Sequence, residues 1–536
     1  MRRPRLSVYF PLILAIVLIT GIFIGLQFRQ NELARWNPFS SHYDPYRKIR
    51  EILKYAEENY VDEIQPDTLT ERTVFTLLQS LDPHSIYITA REFNEANDPL
   101  QGKFEGIGVQ FRVEKDTVVV INTISGGPAE KVGIRGGDRI VKVDRDMIAG
   151  VKITNDDVMR KLKGPKGTTV DVSIYRRGIR ELLDFTITRD IIPTFSLDVR
   201  YMINRETGYI KLGNFAAKTH EEFVKAMEEL KEQGMNRLIL DLRGNGGGYL
   251  QDAIQIADEF LEEDKIIVYT EGKNRPKKIS FATGDGLFEK EKLVILIDEW
   301  SASASEIVAG AVQDNDRGTI IGRRSFGKGL VQEQLEFPDR SAVRLTVARY
   351  HTPTGRCIQK PYNNGIDQYY SELLGRFTNG ELETPDSIHF LDSLKYTTPG
   401  GKTVYGGGGI MPDVFIPVEK NPELNLYREV LDKNLIYPYA FDYTDKYRKQ
   451  LGKFRSAEEF NKGFFIDGSI LADFMKYARE KGASIPSAGN QASEKRIRAL
   501  LKAFIGRNIY DNPAFYPTLN EADPAVIKAI EILENK

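Results

Sequence analysis

The chain of 536 residues holds one cysteine, Cys357. That excludes an intrachain disulfide framework and cysteine-rich metal sites. Histidine is scarce as well. His42, His84, His220, His351 and His389 lie far apart, with no HExxH or similar close pair. A metallohydrolase therefore has no ligand pair to start from. Net charge is almost absent, at −2 from 74 Lys and Arg against 76 Asp and Glu, so no global field points to nucleic acid as a partner. No low-complexity tail and no short-period repeat interrupts the sequence. The length predicts three or four domains and ample material for a sizeable core.

One long apolar run is present. Residues 1–7, MRRPRLS, carry three arginines, and residues 8–28, VYFPLILAIVLITGIFIGLQF, carry no charge. A run of about 20 apolar residues spans a bilayer as a helix. The basic flank predicts a single-pass anchor in the inner (cytoplasmic) membrane, with everything after Arg29 facing the periplasm or cell exterior. A cleaved signal peptide is the alternative reading. The length of the run and the lack of a small-x-small site favour an uncleaved anchor.

Further along, Ile49, Leu53 and Ala56, then Leu77 and Leu78, give helical spacing over 43–80, followed by a turn at Asp82–Pro83–His84–Ser85. Residues 100–188 change to short apolar runs separated by glycines, which predicts a small strand-rich domain with one helix at NDDVMRKLK. Residues 190–430 alternate strand patterns (GYIKLGNF, NRLILDLR, KLVILIDE) with helical ones (HEEFVKAMEELKEQG, DAIQIADEFL, SEIVAGAVQD). That alternation predicts a largely parallel α/β sheet. Beyond 435 the patterns are helical, broken by loops rich in Gly, Asn and Pro.

Chemistry concentrates in residues 293–310, LVILIDEWSASASEIVAG. A buried strand, a turn of small and hydroxyl residues and a helix place a serine at a strand-to-helix junction. The unbonded N–H groups of the new helix can hold an anionic tetrahedral intermediate there. Simple N-capping by Ser301 or Ser303 fits the same residues. In RRSFGKGLVQ, Lys328 stands between two glycines that permit close backbone approach. A lysine serves as a general base only when burial brings its pKa down toward neutrality. A lysine in a surface turn is the other reading of GKG. A Ser–His–Asp set can be drawn from Ser303, His351 and Asp298. No histidine lies in a motif expected for one, so His351 reads as structural or cleft-lining. Cys357 has no flanking nucleophile motif.

The run SASASEIVAGAVQDNDRG, followed by SFGKGLVQ, closely resembles the carboxy-terminal processing peptidases, also called tail-specific proteases, of peptidase family S41. The resemblance implies that the second serine of SASAS, Ser303, is the nucleophile. It makes Lys328 the general base, and Gln332, four residues on, the residue that orients or assists that base. LDPHSIYIT (81–89), TGYIKLGNF (207–215), RYHTPTGRCIQ and GGIMPDVFIP also match, so the resemblance covers roughly residues 45–430. LILDLRGNGGG (238–248) resembles the family's DLRxNPGG motif, with Gly246 where proline is usual. The implied oxyanion hole takes backbone N–H groups of Gly247 and Ala304. Arg243 reads as a core ion-pair partner rather than a substrate contact.

FEGIGVQFRVEKDTVVVINTISGGPAEKVGIRGGDRIVKVD resembles a PDZ domain of bacterial type. The resemblance makes Gly106, Ile107, Gly108 and Val109 the carboxylate-binding loop, in which successive N–H groups converge on a peptide terminus. Gly137 and Asp138 shape a turn. The implied fold class is multidomain α/β: a PDZ domain inserted ahead of a ClpP/crotonase-like serine protease core, with helical amino- and carboxy-terminal regions. The expected segments are an anchor over 1–30, a helical region over 31–95, the PDZ domain over 96–186, the core over 187–430 and a mainly helical extension over 431–536. The implied partners are proteins or peptides with accessible carboxy-terminal tails and the membrane, with room for a second copy or an adaptor protein. No metal or organic cofactor is required. A non-catalytic PDZ scaffold and a histidine-dependent serine hydrolase are the alternatives.

Overall fold

The computed structural model describes residues 13–22, 45–363, 365–486 and 490–535. It divides into two units, 1–76 and 77–536. The first holds a helix over 13–22, the helix Pro45–Asn59 and the start of the helix Pro66–Gln79. The expected membrane anchor requires correction. Among the described residues, no helix is long and apolar enough to cross a membrane. The described part of the 8–28 run, 13–22, accounts for about 15 Å at 1.5 Å per residue. The rest of the 8–28 run lies outside the described residues. The placement of a catalytic region beyond the inner membrane loses its support with the anchor.

In the second unit a parallel sheet sets the frame. Its strand order is Leu197–Met202, Thr207–Leu212, Arg237–Asp241, Lys292–Ile297, Thr319–Gly322 and Val414–Phe415. Only the first pair is antiparallel. Strands such as RLILD and KLVILI are apolar at nearly every position because both faces are covered. Alternation sorts the side chains. Leu238, Leu240, Leu293, Ile295 and Ile297 turn toward the helices Thr219–Glu232, Leu250–Asp258 and Ala304–Asp314. Ile239, Val294 and Leu296 turn the other way, onto Val526, Ala529 and Leu533 of the last helix, Pro524–Glu534. The chain end therefore closes one face of the sheet.

A second sheet carries the hairpin Leu330–Glu336 and Ala342–His351, extended by Ile266–Gly272 and Arg275–Phe281 on one side. The short strand Ile86–Ile88 joins Ala342–His351 too, pairing Ile86 with Arg344. This pairing brings the 81–89 segment beside the protease core.

The small strand-rich part orders Val109–Glu114, Thr117–Thr123, Arg139–Val143, Thr169–Tyr175 and Leu183–Thr188 in one antiparallel sheet. Its core is Val118, Val120, Ile140, Val172 and Ile174. Thr154 and Asp157 form a capping box at the start of the helix Asn155–Leu162. The carboxy-terminal helices from Asn425 to Asn520 bury their own cluster, including Val430, Phe460, Phe474, Leu501 and Ile505. They hold the small sheet through Asp445, which pairs with Arg139 at 3.0 Å and Arg177 at 3.1 Å. Arg112 also lies over the Tyr437 ring at 4.2 Å.

If the last helix completes the core, Leu533→Ala should cost about 2–5 kcal/mol, read as a lower urea midpoint. Leu391→Ala, at an exposed position, should move stability by less than about 0.5 kcal/mol. An unmoved midpoint for Leu533→Ala would show that the helix is dispensable.

Candidate active site

The strand Lys292–Ile297 ends in a turn stapled by Asp298, whose Oδ1 accepts from the N–H of Gly244 at 2.9 Å, Trp300 at 3.1 Å and Ser301 at 3.1 Å. Ser301 Oγ donates to Leu242 O at 2.8 Å, and Ser305 Oγ to Asn245 O at 2.9 Å. Between these two, Ser303 sits at the head of the helix Ala304–Asp314 with φ 55° and ψ −112°. That left-handed φ on a non-glycine residue costs of order 1–3 kcal/mol and persists only where neighbours enforce it. The glycine turn is one such neighbour. A Cβ on Gly247 would fall 2.8 Å from Ser303 Cβ and 2.9 Å from Ala304 N. Position 247 therefore admits no side chain. At Gly246 a Cβ would meet nothing within 4 Å.

Glu306 is the second enforcer. Its fully buried carboxylate accepts from Ser303 N–H at 2.8 Å and Lys328 N–H at 2.9 Å on one oxygen. The other oxygen accepts from Gly327 N–H at 2.7 Å and Ser325 Oγ–H at 2.5 Å. Burial pushes the carboxyl pKa up, while the hydrogen bonds from Ser325, Lys328, Gly327 and Ser303 pull it back. Four donors on two oxygens suit the ionised form, which offers only acceptors. Buried Tyr350 adds a second clamp, its Oη lying 2.8 Å from Lys328 O and 3.1 Å from Ser303 O.

Lys328 Nζ donates to Gln332 Oε1 at 3.0 Å, and Gln332 Nε2 donates in turn to the carbonyl of His84. Burial, then the positive charge of Arg344, pushes the ammonium pKa below its ordinary value, against the pull of Glu306 and Asp82. No direct hydrogen bond joins Lys328 to Ser303. Both line one cleft of about 790 Å³, together with Gly247, Ala304, Gln332, Arg344 and Asp252. Ala304 N–H, at the helix start, donates to none of the described residues. Gly247 N–H donates to Asn245 Oδ1 at 2.9 Å.

The histidines are engaged elsewhere. The ring of His351 stacks on Tyr269 at 4.6 Å, and its Nδ1 lies 3.1 Å from Gly355 O. His84 Nε2 lies 2.7 Å from Tyr369 Oη, and burial with nearby Lys328 lowers its pKa to about 3. Neither ring lines the cleft. Cys357 does not line it either, and burial pushes its thiol pKa up. Arg243 is committed to Asp241 at 2.6 Å and Asp523 at 2.8 Å. Asp138 takes Arg176 at 2.7 Å and Arg135 N–H at 2.9 Å, which shapes the loop around Gly137. Among the described residues, no group of three or more His, Cys, Asp or Glu could hold a metal ion.

Gly106 pairs with Asp190 and Val109 with Thr123, and the N–H groups of Ile107 and Gly108 between them donate to no described residue. The Ile107 side chain belongs to the small core, at 2% exposure, so only its backbone can meet a ligand. Val109 is half-buried against that core. The strand Val109–Glu114 pairs on one side only, with Thr117–Thr123, so an edge remains beside the loop.

Sequence reasoning singled out neither Glu306 nor Tyr350 nor Arg344. Ser303 and Glu306 do form an S-x-x-E pattern before an apolar run, the signature of a capping box, and that signal was available. Tyr350 and Arg344 meet the site only through strand pairing, which the chain order does not display.

Comparison with known proteins agrees with this architecture. A model of peptidase family S41 matches residues 206–369, a PDZ domain model matches 106–187, and a family of unknown function matches 426–511. A carboxy-terminal-processing protease of Bartonella bacilliformis is 36% identical over 322 residues, covering 59% of this chain and 73% of that protein. A carboxyl-terminal-processing protease of Synechocystis is 32% identical over 359 residues, covering 66% of this chain and 80% of that one. Among solved structures, a photosystem II D1 C-terminal processing protease shares 26% identity over 69% of this chain and 86% of its own. Its TM-score of 0.37 adds nothing to the sequence match. With a PDZ domain ahead of an α/β core and a serine strained into a glycine-lined cleft, the chain belongs to the carboxy-terminal processing proteases, serine endopeptidases of family S41.

Proposed function

We propose that this protease cleaves proteins near their carboxy-terminal tails with a Ser303/Lys328 dyad, after the PDZ loop has captured the free terminus. One observation carries the reading: a single buried carboxylate, Glu306, binds the backbone N–H of both Ser303 and Lys328, and both side chains open into one cleft. Ser303 Oγ attacks the scissile carbonyl carbon as its proton passes to neutral Lys328 Nζ. The tetrahedral intermediate collapses, the C–N bond breaks, and the leaving amine takes the proton from Lys328. Water then attacks the acyl carbon as its proton passes to Lys328 Nζ, the C–Oγ bond breaks, and Ser303 Oγ takes that proton back from Lys328.

Gln332 positions the base, because its amide holds Nζ on one side and the His84 carbonyl on the other. Ala304 N–H is one oxyanion donor. Gly247 N–H becomes the other when substrate displaces it from Asn245 Oδ1. At the PDZ loop, the unbonded N–H groups of Ile107 and Gly108, with Gly106 and Val109 framing them, receive the terminal carboxylate. The adjoining strand edge pairs with the extended tail.

Because Lys328 works only when neutral, kcat/KM should rise with pH through a midpoint below the ordinary lysine value near 10.4. Ser303→Ala should abolish turnover. Lys328→Arg should lose nearly all of it while staying folded by circular dichroism, since guanidinium does not deprotonate in a useful range. His351→Ala should keep the activity. A folded, inactive His351→Ala beside an active Lys328→Arg would replace the dyad with a histidine mechanism.

Gln332→Glu places a negative charge on the ammonium, so its ascending pH limb should move to higher pH. A limb that stays in place would remove Gln332 from contact with the base. Amidating the substrate terminus should raise KM severalfold. Equal KM for acid and amide would end the role given to Gly106–Val109.

A further inference from the structure

Several arginines around the protease core are matched to carboxylates. Arg324 pairs with Glu381 at 2.6 Å, Arg323 with Glu299 at 2.7 Å and Arg356 with Asp314 at 2.6 Å. Arg344 departs from this pattern. It lies on the strand Ala342–His351, opposite Ile86, and its side chain lines the cleft with Ser303 and Lys328. Its Nη2 donates to Gln334 Oε1 at 3.0 Å and Asn97 Oδ1 at 3.4 Å, both neutral amides. Its Nε and Nη1 donate to none of the described residues, and no carboxylate of those residues forms a salt bridge with it. Asp252, the carboxylate on the cleft wall, is itself buried and accepts from His220 N–H at 3.3 Å.

A half-buried guanidinium with neutral partners has lost part of its hydration without gaining a counter-charge. Its planar fork matches a carboxylate in bidentate fashion. We propose that Arg344 is a specificity-determining residue that receives a carboxylate of the bound substrate. That carboxylate comes either from an Asp or Glu side chain near the scissile bond or from the α-carboxylate of a short tail beyond it. The two amides, Gln334 and Asn97, hold the guanidinium in place and leave Nε and Nη1 for the ligand.

A second consequence rests on the reading of Lys328 as the base. Lys328 is faced by Arg344 from the strand, by Glu306 from the helix Ala304–Asp314, and by Asp82 and neutral His84 from the 81–89 segment, with Asp252 and Tyr249 on the cleft wall. Of these, Arg344 is the cation, and it disfavours the ammonium. A substrate carboxylate on Arg344 cancels that field, so an acidic substrate should show its ascending pH limb at higher pH than its neutral twin. In Arg344→Gln the limb should move to higher pH for both substrates, and the difference between them should vanish.

The test uses the full chain, wild type, Arg344→Gln and Arg344→Lys, against peptides differing in one group. One pair has Glu or Gln beside the scissile bond with both termini amidated, which removes any contribution from terminus capture. The other pair is a short tail as free acid or amide. In wild type, one of these pairs should show a preference for the acid of about ten- to a hundredfold in kcat/KM, carried by KM. Arg344→Gln should abolish that preference in the Glu/Gln pair and, in the tail pair, cut it back to what capture at the PDZ loop leaves, and Arg344→Lys should retain part of it. The pair that responds identifies the source of the carboxylate. Absence of any preference in wild type, or a preference that survives Arg344→Gln undiminished, overturns the proposal. If the preference survives while Lys328→Arg is dead, Arg344 loses its role and the dyad stands. If Lys328→Arg remains active while Arg344→Gln erases the preference, the dyad falls and the carboxylate site stands.

Discussion

The Glu306 carboxylate takes Ser303 N–H on the same oxygen as Lys328 N–H, and Gly327 and Ser325 on the other. These donors belong to two segments more than twenty residues apart, one ending the strand Lys292–Ile297 and the other opening the strand Leu330–Glu336. The first belongs to the parallel sheet and the second to the neighbouring antiparallel sheet. The candidate site is therefore a seam between two sheets, and the buried Glu306 carboxyl closes it. The carboxyl accepts freely from all four donors only when ionised, yet burial favours its neutral form. A folded-state pKa raised by burial means that ionised Glu306 subtracts from stability as pH rises through the unfolded value toward that raised pKa. Ionised, Glu306 would hold the seam in the charge state that burial favours less, a cost consistent with a site built for function rather than for stability.

Other elements serve the same seam. The positive φ of Ser303 is enforced by Gly247, which has no room for a Cβ, and by the helix that starts at Ala304. Tyr350 reaches across from the strand Ala342–His351 to both backbone carbonyls. The 81–89 segment contributes its carbonyl at His84 to Gln332, and its own turn is fixed by Asp82, which accepts from His84 N–H at 2.8 Å and Ser85 N–H at 2.9 Å. Thr346 ties that turn to the hairpin at 3.1 Å through Asp82. Burial and electrostatics then act together on Lys328, with Arg344 adding a cation where the mechanism needs the ammonium disfavoured.

Local signals carried much of this architecture. The apolar runs RLILD and KLVILI announced buried parallel strands, and the SASAS and FGKG runs announced the two segments that Glu306 joins. Ser303, Lys328 and Gln332, which the structure brings together on one cleft, each stand in a short contiguous motif. Glu306 was legible in principle as the fourth residue of a capping box, but that pattern marks many helices and says nothing of a second segment docking on it. Arg344 and Tyr350 depend on register in a hairpin whose partners lie more than two hundred residues apart in one case, as with Ile86 and Arg344. The closure of the parallel sheet by Val526, Ala529 and Leu533 was hidden for the same reason. At the other end, the apolar run over 8–28 read as a membrane span from hydropathy, whereas among the described residues, which include only 13–22 of that run, no helix is long and apolar enough to cross a membrane.

The central claim is that Lys328 is neutral at working pH because of where the seam holds it. Its most direct test is the titration of the Lys328 ε-carbon by NMR in folded Ser303→Ala protein carrying ¹³C-labelled lysine, assigned by comparison with Lys328→Arg. The account predicts a midpoint clearly below the ordinary value near 10.4. It also predicts that Arg344→Gln, made in the same background, moves the midpoint upward. A midpoint at or above 10.4 would contradict the account, because the amine would then stay charged wherever the enzyme works.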